Sequence, residues 1–194
     1  MKTGRTAVTA RIVLPNASES RRISNFLNAN DIKTTGDQVR EVIEDPRRAL
    51  FVAKVDGEIV AWAKTHFYEQ PSGEAPAGNY LGGIVVAPGW RRTGIAQRLI
   101  AARAAWLDTN PRAGNHHDQV HFVVNAMNHP SIHLHEPFGF REAARGRDFH
   151  GVTFSGVSGA GNGILFSAEL GGILERWKLM SAPTAKAAEP RAES

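Results

Sequence analysis

The sequence contains no cysteine. A disulfide framework, thiolate zinc sites and a cysteine nucleophile are therefore excluded, and a reducing compartment is the natural setting. Long apolar runs are missing as well; none approaches the roughly 18 residues of a membrane span. The opening MKTGRTAVTARIVLP holds one short apolar stretch, which Arg11 interrupts. No secretory signal is legible, and the cytoplasm is the expected location. Neither G-x-x-x-x-G-K-[ST] nor G-x-G-x-x-G occurs, so two familiar phosphate loops are excluded. Among the eight histidines, His129 and His133 have helical i, i+4 spacing, with His117 and His121 nearby. H-E-x-x-H is absent and Pro130 interrupts the pair, so no metal is expected and scattered surface imidazoles are the plainer reading.

What is present is an ordinary globular composition: 194 residues, 42% hydrophobic and 22% charged. That is enough chain to bury a core without a metal or disulfide staple. One domain is expected over residues 10–180, with flexible tails at 1–9 and at the Ala/Pro/Lys/Glu-rich 181–194. The net charge of +4 fits an anionic ligand or simply a mildly basic surface. No basic run carries interleaved aromatics, so nucleic acid is not expected, nor is a membrane.

Periodicity places a short strand at 11–14, a helix over 19–29 and a second helix over 36–44 that Pro46 stops. Residues 49–55 and 59–67 read as a hairpin about Asp56-Gly57. A Pro/Gly-rich loop at 69–78 leads to a strand over 80–86. The clearest helix is 94–107, with Ile95, Leu99 and Trp106 striped beside Ala96, Ile100 and Leu107. A strand at 120–125, a short helix near 131–136, a strand from Phe140, a Gly-rich stretch at 151–163, a strand at 164–170 and a helix over 171–180 follow. This order predicts an α/β (α+β) fold, a mixed sheet with at least one right-handed crossover.

The segment YLGGIVVAPGWRRTGIAQRLIAARAAWL, residues 80–107, is the informative one. A buried strand runs through Pro88 into a turn that opens the long helix. The first turn of a helix offers unpaired N–H groups and the positive end of the dipole, a ready anion cradle. Gly94 lets a phosphate approach the backbone, Ala96 keeps the next turn small, and Arg91 and Arg92 add charge. An ordinary strand-to-helix turn can carry the same residues, so this motif alone decides little.

Val85-Val86-Ala87-Pro88 followed by Arg91-x-x-Gly94-x-Ala96 resembles the acetyl-CoA motif Q/R-x-x-G-x-G/A of the GNAT superfamily of N-acetyltransferases. A second segment, Asn125 through Phe140, is similar to that superfamily's N-x-x-N-x-x-S-x-x-L-Y-x-x-x-G-F. The resemblance covers about residues 10–170. It implies a single domain whose central sheet splays between its fourth and fifth strands, flanked by helices. It implies acetyl-CoA as acyl donor and a primary amine as acceptor, joined by direct attack in a ternary complex. The backbone of Ile84, Val85 and Val86 would hold the pantetheine arm and polarise the thioester. The N–H groups of Arg91, Arg92, Thr93, Gly94, Ile95 and Ala96 would hold the pyrophosphate. Asn125, Asn128 and Ser131 would line the far side, where Asn128 and Ser131 also suit helix capping. The resemblance leaves room for a homodimer.

The sequence departs from the motif twice. His135 stands at the Tyr position, where many relatives protonate the departing thiolate; His135 either donates a proton or only packs. The strand position where many relatives place a Glu base is Gly82. Glu69, His66, His121 and Asp118 are the alternative proton acceptors, with water as a further route. Asp31, Asp37, Glu41, Glu44, Glu69 and Glu74 form a prospective acidic rim for a cationic amine, or plain solvated charge. These gaps keep a second expectation alive: a catalytically weak acyl-CoA sensor or partner module on the same fold.

Overall fold

Asp56 and Gly57 both adopt left-handed backbone, at φ 49° and 83°. Such a two-residue turn matches the twist of paired strands, and here it joins β2 (Arg48–Val55) to β3 (Glu58–Tyr68). The computed structural model describes residues 10–110, 118–154 and 162–182. The expected tail at 1–9, residues 183–194 of the tail expected at 181–194, and the parts of the two loops at 111–117 and 155–161 lie outside the described residues; Ser181, expected in that tail, instead ends the last helix.

The chain opens with β1 (Arg11–Val13), then a short turn whose Asn16 side chain accepts from the Ser18 N–H, then α1 (Ser20–Asn28). A reciprocal capping box between Thr35 and Gln38 starts α2 (Gly36–Glu44). β4 (Gly78–Val86), α3 (Ile95–Thr109) and β5 (Gln119–Asn125) form the crossover unit. α4 (His129–His135) begins two residues earlier than expected, because the Asn128 side chain caps it and Pro130 suits its first turn. Pro137 falls in a single tight turn that ends at Gly139, φ 89°. β6 (Arg141–Gly146), a small ribbon of β7 (Asp148–Phe149) and β8 (Val152–Thr153), β9 (Gly163–Glu169) and α5 (Leu170–Ser181) complete the order.

The main sheet runs β1-β2-β3-β4-β5-β9-β6, and β4–β5 is its parallel pair. The sheet is mixed, as the order of elements predicts, and it splays between its fourth and fifth strands, as the family resemblance implies. β4 and β5 meet only at Asn79↔Val120 and Tyr80↔His121 and then part. A bulge lies beside the splay: Ala63 faces Ile84 and Thr65 faces Leu81, so Lys64 opposes both Gly82 and Gly83.

Alternation along β3 divides the core. Ala61 and Ala63 turn to α3, packing with Phe51, Ile95 and Leu99, while Trp62 turns to Ile23, Leu27 and Val39 of α1 and α2. The β5 side packs Val120, Phe122 and Val124 with Ile100, Ala104 and Ile173. The expected α3 stripe is present, with one addition: Arg103 is buried in its midst at 0% exposure. Its Nε donates to Leu99 O at 3.1 Å, and its Nη1 donates to Lys64 O at 3.1 Å and Gly82 O at 2.9 Å. Burial without a carboxylate among the described residues pushes its pKa down to about 9.

Candidate active site

Past Tyr80 and His121 the splay opens into a cleft of about 870 Å³. One wall is the β4 edge, Gly82 to Val86, which has no ladder partner there. The other is Val123, Val124 and Asn125 of β5 with Asn128, Ser131 and His135 beyond it. Arg91 and Ala96 close the end where α3 begins.

That end is built for an anion. Arg92 (φ 61°) and Gly94 (φ 81°) are both left-handed. The first helical bond of α3 is Arg98 N–H to Gly94 O at 3.1 Å, which leaves the amides before it without helical partners. Alternating backbone hands curl such amides into a concavity with positive lining. The Arg91 side chain is tethered by Nε donating to Val86 O at 3.2 Å. The Thr93 hydroxyl donates to Trp90 O at 2.6 Å, the Ile95 side chain is in the core, and the exposed Arg92 side chain lies outside the cleft wall. Opposite them, Asn125 Oδ1 accepts from Met127 N–H at 2.9 Å and Asn128 Oδ1 accepts from Ser131 N–H at 3.2 Å. Both amide side chains hold their turn and line the cleft at once.

His135 differs from the proton-donor expectation. Its Nδ1 lies 2.8 Å from Ser131 O, and a carbonyl can only accept, so Nδ1 carries the proton. Burial, with the nearby Arg103 charge, pushes the ring's pKa down to about 3, so no second proton sits on Nε2. Nε2 has no partner among the described residues. The ring stacks on Phe122, with centroids 4.0 Å apart, and meets Phe140 edge-on. At neutral pH its one proton is held by Ser131 O and Nε2 is bare.

The proposed proton acceptors separate. His66 lines the cleft, but burial and the Lys64 and Arg48 charges push its pKa down to about 3. It stays neutral and is a weak base. His121 is buried at the closed end, its Nδ1 2.7 Å from Ser167 Oγ and its ring against Tyr80, and it is not part of the cleft wall. Glu69 and Asp118 are exposed and lie outside the wall. None of the acidic-rim residues is in that wall either. Gly82 has a reason to be glycine: a Cβ there would sit 2.8 Å from Lys64 Cγ and 3.2 Å from His66 Cδ2.

Among the wall residues that escaped the sequence reading are Lys64, Tyr68, Tyr80 and His150. The chain has only two tyrosines, and both are here. Tyr68 stacks on His150 at 3.8 Å and 1°, and more loosely on His66 at 5.8 Å and 11°. Tyr80 stands edge-on to Tyr68, and its hydroxyl donates to Pro76 O at 2.7 Å. The signal that marks two of them, Lys64 and Tyr68, is the alternation Trp62, Lys64, His66, Tyr68 along one face of β3. Among the described residues, no group of three or more His, Asp or Glu is gathered to hold a metal ion, and no helix is long and apolar enough to cross a membrane.

A parallel strand pair that parts over a helix-opening anion turn defines the class of acyl-CoA-handling α/β transferases. The chain belongs to the acetyltransferase (GNAT) family, whose model matches residues 19–140. Its enzyme class is accordingly that of the acyltransferases. The fold is shared with the ribosomal-protein-S18-alanine N-acetyltransferase of Escherichia coli, at TM-score 0.62 and 18% identity over 84% of this chain and 94% of that one. It is shared with Arabidopsis thaliana NAA60, solved with acetyl-CoA, at TM-score 0.60 and 18% identity over 84% and 99%. The spermidine N-acetyltransferase of Vibrio cholerae, solved with CoA and spermine, superposes at TM-score 0.61 and 16% identity over 85% and 98%. The sequence matches none of the curated proteins.

Proposed function

We propose that the protein transfers the acetyl group of acetyl-CoA to a primary amine by direct attack within a ternary complex. The observation that carries this reading is the cleft: an unpaired β4 edge leading to the amide concavity before α3. The pyrophosphate would rest on the amides of residues 92–96 beside the Arg91 side chain; the Arg91 N–H itself already donates to Pro88 O at 3.3 Å. The pantetheine amides would pair with the Ile84–Val86 edge, which turns the thioester carbonyl toward backbone N–H donors. Asn125, Asn128 and Ser131 would close over the arm. Holding amine and thioester together supplies much of the rate.

The amine's proton leaves by water. No carboxylate lines the cleft among the described residues, and His66 is too weak a base at neutral pH. The nitrogen then adds to the acetyl carbon, loses its second proton to water as the C–S bond breaks, and the CoA thiolate leaves to take a proton from solvent. His135 shapes the cleft and gives no proton.

Release of free thiol from acetyl-CoA with a panel of primary amines tests the reading. Turnover with at least one amine, abolished by Gly94→Val, is the expected result. One observation favours a second reading, an acyl-CoA-binding module without turnover: at the family's tyrosine position the ring's Nδ1 proton is tied to Ser131 O at 2.8 Å. Tight CoA binding with no thiol release from any amine would select it.

A further inference from the structure

Lys64 is the one charged side chain at the acceptor end of the cleft among the described wall residues; the other wall cation, Arg91, lies at the α3 end. Its stem crosses the bulge in the space that Gly82 leaves open, since a Cβ there would meet Lys64 Cγ at 2.8 Å and Cε at 3.2 Å. The ammonium stands 5.7 Å from the Trp62 ring centroid. Among the described residues it has no ion-pair or hydrogen-bond partner. Burial and the Arg48 charge disfavour its charged form, so the ammonium lacks a compensating anion. Arg48 itself is already paired with Asp45 at 3.2 Å.

A cationic group brought beside this ammonium meets like charge, and a carboxylate meets a charge-assisted hydrogen-bond donor. Next to Lys64 the wall is aromatic: His66, Tyr68 and His150 in parallel stack, with Tyr80 edge-on to His150. A wall of packed rings suits an apolar body.

We infer that the acceptor is a small primary amine that also carries a carboxylate, seated with the carboxylate on Lys64 and its apolar body along the Tyr68 wall. This rests on the N-acetyltransferase reading above and narrows its substrate class. The step balances: the ammonium gives one proton to water, nitrogen bonds to the acetyl carbon, the nitrogen loses a second proton as the C–S bond breaks, the thiolate takes up one proton through water, and the products are the N-acetylated aminocarboxylate, CoA and one released proton.

The test compares phenylalanine with phenethylamine, the same body without the carboxylate, and with spermidine. Steady-state kcat/KM is measured for the parent protein, Lys64→Met and Lys64→Arg. The parent should favour phenylalanine over phenethylamine at least tenfold. Lys64→Met should collapse that ratio at least tenfold and Lys64→Arg should recover part of it, with acetyl-CoA affinity unchanged in both. A preference for phenethylamine or spermidine overturns the inference and leaves the N-acetyltransferase reading standing. So does a Lys64→Met protein that loses both amines equally. Calorimetry of N-acetylphenylalanine on the CoA-loaded protein reads the same site without turnover. Binding that Lys64→Met weakens tenfold supports the inference, and no binding to the parent overturns it. Absence of thiol release with every amine defeats the N-acetyltransferase reading itself.

Discussion

Arg103 Nη1 lies 2.9 Å from Gly82 O and 3.1 Å from Lys64 O, so one buried guanidinium ties together the two strands that face each other across the β-bulge. The bulge sits where β4 leaves β5. A residue of the helix core thus fixes the strand edge that forms the cleft. Arg103→Ala removes the donor from three carbonyls and leaves a void. The expected loss is about 2–5 kcal/mol of stability. Arg103→Lys should restore little, because an ammonium lacks the planar fork. Equilibrium urea unfolding checks both, and a loss below about 1 kcal/mol for the alanine variant contradicts the assignment.

Gly94 is held at φ 81°, where a β-branched residue is strained, and nothing but Gln97 Oε1, at 4.0 Å, would approach an added Cβ. The space is open for a ligand. Gly94→Val should weaken acetyl-CoA binding more than tenfold, at least about 1.4 kcal/mol. Arg91→Ala should cost less, since the backbone supplies most donors. Calorimetry on folded variants decides, and an unchanged Kd for Gly94→Val would remove the anion-turn assignment.

Replacing His135 by Phe keeps a ring between Phe122 and Phe140 and removes both nitrogens. With no proton on Nε2 at neutral pH, His135→Phe should keep kcat within about threefold on any active amine. His135→Ala should lose more by opening a void. A fall of about 10²-fold in His135→Phe would restore the imidazole to the chemistry.

His66 and His135 are both held near pKa 3, well below the ordinary imidazole value of 6.5. Between those pH values the unfolded chain takes up protons that the folded chain refuses. Stability is therefore full above pH 6.5 and falls as pH drops toward 3. Each histidine adds up to about 1.4 kcal/mol per pH unit to that slope. Urea midpoints at pH 7 and pH 5 should lie closer together in His135→Phe than in the parent. An identical difference in the two proteins would mean that the ring is not desolvated.

Much of this was legible in the chain. The type I′ signature Asp56-Gly57, the Pro46 stop and the 3.6-residue stripe of α3 are local rules, and they fixed element types to within a residue or two. The two motif segments marked the turn at Arg91–Ala96 and the Asn125–Ser131 wall. What escaped was set by tertiary contact. Arg103 interrupts an apolar stripe and reads as a surface residue, because the carbonyls that hold it belong to β3 and β4. Lys64, Tyr68 and His150 come together only when the strand face meets the ribbon. The protonation of His135 depends on the Ser131 carbonyl one turn back and on burial, and neither shows in a motif position.

The pairing of β4 and β5 at only two residue pairs has a mechanical consequence. The strands β1 to β4 and the strands β5, β9 and β6 are nearly two separate ladders, hinged at Tyr80 and His121 and bridged behind by α3. A pantetheine arm lying along the open edge would serve as a partial rung between them, so donor binding would stitch the ladders into one. Amide hydrogen exchange would register this as slowing along Ile84–Val86 and Val123–Asn125, while the β2–β3 hairpin keeps its rate.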